Sequence, residues 1–148
     1  MLDFNNLESY KENNRIEAKR ASGGLPESIW ETYSAFANTL GGVILLGVAE
    51  ARDKSLSPID LPDPEALAAE FWEKVNDKNI VSANILSKDD VDILSVDGKH
   101  IIAITVPPAP EPLVPVFIGR DPYLGSYKRC GEGDYKFTRK EVEIMLSK

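Results

Sequence analysis

Between Ile29 and Leu40 the apolar residues Ile29, Tyr33, Phe36, Ala37 and Leu40 recur at the spacing of one helical face. Pro26 stands before them, where the first turn of a helix tolerates a missing N–H, and Ala21–Gly24 reads as the loop leading in. Gly41-Gly42 ends the run, because glycine accepts the left-handed conformation that stops a helix. Val43-Ile-Leu-Leu-Gly-Val48 follows as an unbroken apolar stretch of strand length, the pattern of a strand covered on both faces. A second helix opens with Asp63 as N-cap and Pro64 at its first position, and carries Leu67, Phe71, Trp72 and Val75 as its apolar stripe. Val91–Val96 and His100–Val106 then read as two strands joined by Asp97-Gly98, a dipeptide suited to a tight hairpin turn.

The remaining segments are shorter. Ile16–Ala18 is a candidate first strand, and the charged, proline-bearing stretch 50–62 reads as a loop. The proline-rich segment 107–115 cannot pair inside a sheet. Val116–Ile118 and Tyr127–Cys130 are strand-like runs on either side of an Asp121-Pro122 turn. Thr138 caps a last helix, with Glu141 completing a capping box. The order β, α, β, α, β, β, β, β, α predicts an α/β (α+β) fold, a mixed sheet flanked by helices in one compact domain spanning 1–148.

Composition narrows the class. A chain of 148 residues has the size of one domain and buries enough surface to stand without a disulfide or metal staple. No apolar run approaches the roughly 20 residues that span a bilayer, and the polar, acidic N-terminus does not read as a signal peptide. The single cysteine, Cys130, excludes an internal disulfide and a cysteine-cluster zinc site. Together these predict a cytoplasmic protein with no membrane partner. The net charge of −7 weighs against nonspecific binding to a polyanion, but the charge is unevenly spread. Residues 41–114 hold thirteen acids and six bases, whereas residues 115–148 hold five acids and seven bases. A domain polarised in this way can present one basic face.

Three stretches resemble the Schlafen AlbA_2 family, a group related to RecG-like helicases and described as divergent AAA-type. Glu12-Asn-Asn-Arg-Ile-Glu17-Ala-Lys19-Arg20 is similar to the family's opening motif of two glutamates five apart with a following lysine. Ala35-Phe-Ala-Asn38-Thr-Leu-Gly41-Gly42, leading into the buried run, resembles its most diagnostic signature. Pro115-Val-Phe-Ile118 with Tyr127-Lys128-Arg129-Cys130-Gly131 is similar to its late strand pair. The resemblance implies a small α/β module, usually the N-terminal part of a longer transcriptional regulator with a downstream domain. It also implies a binding role toward DNA or RNA.

The candidate chemistry follows from these motifs. Lys19, Arg20, Arg120, Lys128, Arg129 and Lys136 are the expected phosphate-binding residues, with Lys11, Arg15, Arg139 and Lys140 nearby in sequence. Tyr123, Tyr127, Tyr135 and Phe137 are interleaved with the later group and offer rings on which bases stack. In animal relatives a carboxylate trio supports metal-dependent RNA cleavage, so the resemblance offers a second reading, in which Glu12, Glu17 and Glu50 hold Mg²⁺ or Mn²⁺ and a homodimer supplies the second lobe. A third reading is a protein-interaction or oligomerisation module. Asn38, Gly41 and Gly42 read as a structural turn: a helix C-terminus has the wrong polarity for phosphate, and no P-loop is present. His100, Trp30 and Trp72 read as structural, and Cys130 as a buried small hydrophobe.

Overall fold

The computed structural model describes residues 15–148. Strand β2 (Gly42–Leu46) lies inside a four-stranded mixed sheet, with β1 (Ile16–Lys19) parallel on one side and β6 (Lys99–Val106) antiparallel on the other. Strand β5 (Val91–Val96) pairs with β6 and forms the far edge, so the order is β1-β2-β6-β5. The two-residue turn between β5 and β6 puts both Asp97 and Gly98 at positive φ (53° and 75°), as an Asp-Gly hairpin requires.

The alternation of side chains along the strands divides the core in two. Ile44, Leu46, Ile102, Ile104 and Val106 face helices α1 (Ile29–Ala37) and α2 (Pro64–Val75), where Tyr33, Phe36 and Phe71 are fully buried. Trp30 stacks on Phe71 with ring centroids 5.3 Å apart, so its expected structural role holds. On the other face Ile16, Leu45, Ile101 and Ala103 meet Val48 and Leu56. Those two residues belong to a hairpin of β3 (Val48–Glu50) and β4 (Leu56–Pro58). The apolar run from Val43 to Val48 is therefore covered on both faces, as its pattern predicted.

Several boundaries differ from the sequence reading. The run breaks at Gly47, whose φ is 83° and where a Cβ would stand 2.7 Å from the Leu61 side chain, so the chain turns out of β2 into β3. The stretch 50–62, read as loop, contains β4. Helix α1 ends at Ala37, which leaves Leu40 exposed instead of on the apolar stripe. Val116–Ile118 makes isolated bridges to Ser126 and Val81. Asp121 caps a single helical turn, α3 (Pro122–Gly125). Strand β7 (Tyr127–Cys130) pairs with β8 (Gly133–Lys136), a polar strand the pattern did not reveal. Helix α4 (Arg139–Leu146) closes the chain with the expected capping box of Thr138 and Glu141.

Candidate nucleic-acid interface

Helix α1 is almost wholly buried, so its polar residues must find partners inside the protein. Ser34 Oγ donates to the Val116 carbonyl at 2.7 Å and accepts from Tyr127 N at 3.1 Å. Asn38 continues this row one turn on. Its Nδ2 donates to the carbonyls of Val116 (2.8 Å) and Tyr127 (3.1 Å), and its Oδ1 accepts from Val116 N (2.7 Å). Asn38 thus ties the end of α1 to the 116–118 segment and to β7, a longer reach than the local turn its sequence position suggested. The glycines beside it are sterically required. A Cβ on Gly41, at φ 77°, would lie 2.7 Å from the Val106 carbonyl oxygen, and one on Gly42 would lie 2.7 Å from the Phe36 ring.

This anchoring lays β7 on α1 so that Arg129 reaches β1, and two of the matched motifs meet there. Arg129, with its side chain only 2% exposed, donates through Nη1 to Glu17 Oε1 (2.9 Å) and Asp134 Oδ1 (2.8 Å), and through Nη2 to the Ile16 carbonyl (3.3 Å). Its guanidinium lies over the Phe36 ring at 4.9 Å. Thr32 donates to the other Asp134 oxygen at 2.7 Å. Lys19 donates to Ser28 Oγ at 3.0 Å and sits 3.8 Å from Glu17. Burial opposes the charge on Arg129, but the hydrogen bonds it donates to Asp134 and Glu17 outweigh it and hold its pKa above the ordinary arginine value. Lys19, Glu17 and Arg129 therefore form one internal ion network.

The opposite face of the β7–β8 hairpin looks outward. Lys128 and Tyr135 are cross-strand partners on it, and Cys130 follows on the same side, exposed and not buried as its residue type suggested. Lys128 donates to both Glu141 oxygens (3.3 and 3.2 Å) and lies 5.6 Å above the Phe137 ring. Arg139 lies 4.2 Å above the Tyr123 ring and 3.5 Å from Glu143. Tyr135 is 56% exposed. Lys136 and Lys140 are exposed and make no ion pair among the described residues. Sequence reasoning named Arg139, Lys140 and Tyr135 only within a larger set. What singles them out is exposure, and the strand β8 that turns Tyr135 outward is one it did not detect.

The remaining candidates lie apart from this face or outside the described residues. Arg20 follows β1 and is exposed. Arg120 borders an open groove of about 480 Å³ lined by Trp30, Ile80, Ile118 and Leu124. Glu50 ends β3, exposed, while Glu17 is engaged by Arg129. Glu12 and Lys11 lie outside the described residues. Among the described residues no three His, Cys, Asp or Glu side chains converge as a metal site would require, and no helix is long and apolar enough to cross a membrane. His100 is exposed, with Nδ1 3.4 Å from Asp60.

The family model described as Schlafen, AlbA_2 matches residues 12–138. Among solved structures, the N-terminal domain of a protein from Nitrosomonas europaea related to the ATP-dependent DNA helicase RecG is similar over 93% of this chain and 95% of its own. It has 28% sequence identity and a TM-score of 0.67. A crystal structure of a protein from Corynebacterium diphtheriae shares the fold over 87% of this chain but only 26% of its own length, at 19% identity and a TM-score of 0.57. A search of the curated proteins finds no match.

Proposed function

The chain belongs to the Schlafen AlbA_2 family, and from that premise we propose that it is a nucleic-acid-binding module whose contact surface is the exposed end of β8 together with the start of α4. The observation that carries this reading is that Lys136, Arg139 and Lys140 are all exposed within five residues of one another, next in sequence to the exposed Tyr135. Cations neutralise phosphates, and an exposed ring gives an unpaired base a place to stack. Arg129 and Lys19 act as positioning residues, since their charges are spent on Glu17, Asp134 and Ser28. The similarity to the N-terminal domain of a RecG-related protein supports the reading and favours DNA as the target. In this view the domain brings a larger protein, such as a transcriptional regulator, to its template.

The test is an anisotropy titration of labelled single- and double-stranded DNA and RNA between about 0.05 and 0.2 M salt. Binding should weaken steeply with salt. In a Lys136→Ala, Arg139→Ala, Lys140→Ala variant, the slope of log K against log salt on single strands should flatten by about 2. Absence of binding at low salt, or an unchanged slope in the variant, would overturn the proposal. The same strands, incubated with Mn²⁺ and run on a denaturing gel, should remain intact. Cut strands would instead give Glu12, Glu17 and Glu50 a catalytic part.

A further inference from the structure

Among the described residues, strand β5 is hydrogen-bonded on one side only, to β6. Its tight turn fixes which of its residues look outward. Val96 and Lys99 flank a two-residue turn and so form a bonded pair, and the pairs alternate from there. Leu94 and Asp92 therefore bond to β6, while Val91, Ile93 and Ser95 turn their N–H and C=O groups away from it. His100, opposite Ser95, confirms the phase. Its N–H donates to Asp60 Oδ1 at 2.6 Å and its carbonyl accepts from Leu61 N at 2.9 Å, both on the side away from β5. Among the described residues, no bond reaches the outward groups of Val91, Ile93 and Ser95. Ile93 is 37% exposed, unusually so for an isoleucine beside a core strand.

Such an edge is a template for another extended chain, and its surroundings choose the occupant. Asp92 is exposed on it, and at its two ends the exposed Asp89 and Asp97 stand with Lys88 and Lys99, leaving the edge acidic on balance. Self-pairing of two β5 edges would bring these acids toward their own copies, whereas a basic strand would find a counter-charge. We propose that the β5 edge takes an extended, cationic segment of a partner protein as a fifth strand. Period-two geometry sets the pattern of that segment: basic side chains on the face of Asp92, apolar ones on the face of Ile93. This surface lies at the sheet edge opposite β1 and β7, so it stands independently of the nucleic-acid reading.

The test uses a short labelled peptide alternating lysine with valine, titrated into the ¹⁵N-labelled protein, with amide exchange recorded free and bound. The amides of Val91, Ile93 and Ser95 should exchange fast in the free protein and become protected with the peptide, while those of Asp92, Leu94 and Val96 change little. Ile93→Pro removes one outward N–H at an edge position where proline is tolerated, and should weaken binding about tenfold. Asp92→Lys should weaken it by a similar factor, and a glutamate–valine peptide should not bind. A peptide that fails to bind, or whose protection falls elsewhere, would overturn the proposal. So would edge amides already protected in a free protein that sediments as a dimer, because a second copy would then own the edge.

Discussion

Removing the Arg129 guanidinium would leave the Glu17 and Asp134 carboxylates, both 2.8–2.9 Å from one nitrogen, with no charge between them. Their side chains are only 15% exposed, so water cannot fully replace the lost partner. Arg129→Ala is expected to lose roughly 3 kcal/mol of stability in urea denaturation. Arg129→Lys should lose less, because it keeps the charge but not the forked donors that reach Glu17, Asp134 and the Ile16 carbonyl together. While still folded, the lysine variant should bind oligonucleotides as the parent does, which separates a positioning role from direct phosphate contact. The sequence marked Glu17, Lys19 and Arg129 as belonging to matched motifs, but it could not show that they neutralise one another. Glu17 and Arg129 are 112 positions apart, and nothing in either segment's pattern encodes that meeting. The same holds for Asn38, whose partners at Val116 and Tyr127 lie 78 and 89 positions away. A local cap was the most that its neighbours Gly41 and Gly42 allowed one to read.

Among the elements, those whose signal is local were legible and those made by distant pairing were not. Helix α2 announced itself through Asp63 and Pro64, the β5–β6 hairpin through Asp97-Gly98, and α4 through Thr138 and Glu141, because each cap or turn acts within four residues. Strands β4 and β8 have only three and four residues, too few for a periodicity to reveal them. The capping box also carries a pH signature. The Thr138 backbone N–H, first, and then Lys128 hold the Glu141 carboxyl below its ordinary value of 4.5. Because the folded value is depressed, the cap stabilises the protein above that ordinary value, and the contribution fades as pH falls through the folded one. An NMR titration should find Glu141 among the more acidic glutamates. Lys128→Met should raise its pKa only part of the way back, since the larger contribution, from the Thr138 backbone, is untouched. A full return to the ordinary value would show that Lys128, and not the cap, sets the charge at the start of α4.

At the scale of the whole molecule, the net charge of −7 and the proposed phosphate-binding face are reconciled by placement on opposite edges of the sheet. The sheet separates them. Its β1 edge is bonded through Arg129 to the hairpin that carries Lys128 and Lys136, while β5, with Asp89 and Asp92 close by, is the opposite edge. Electrostatic reach in solution is about 30 Å at 0.01 M salt and about 8 Å at physiological ionic strength. The distant acids should therefore repel a nucleic acid at low salt and be nearly silent at physiological salt. A variant carrying Asp89→Asn, Asp92→Asn and Asp97→Asn is expected to bind an oligonucleotide about two- to threefold more tightly near 0.01 M salt and equally to the parent near 0.15 M. Its salt dependence should consequently be steeper, opposite in direction to the flattening caused by removing Lys136, Arg139 and Lys140. Anisotropy titrations of the two variants at both ionic strengths decide the matter. If removing the acids strengthens binding equally at every salt, the acids touch the nucleic acid and the binding face has been placed on the wrong side of the sheet.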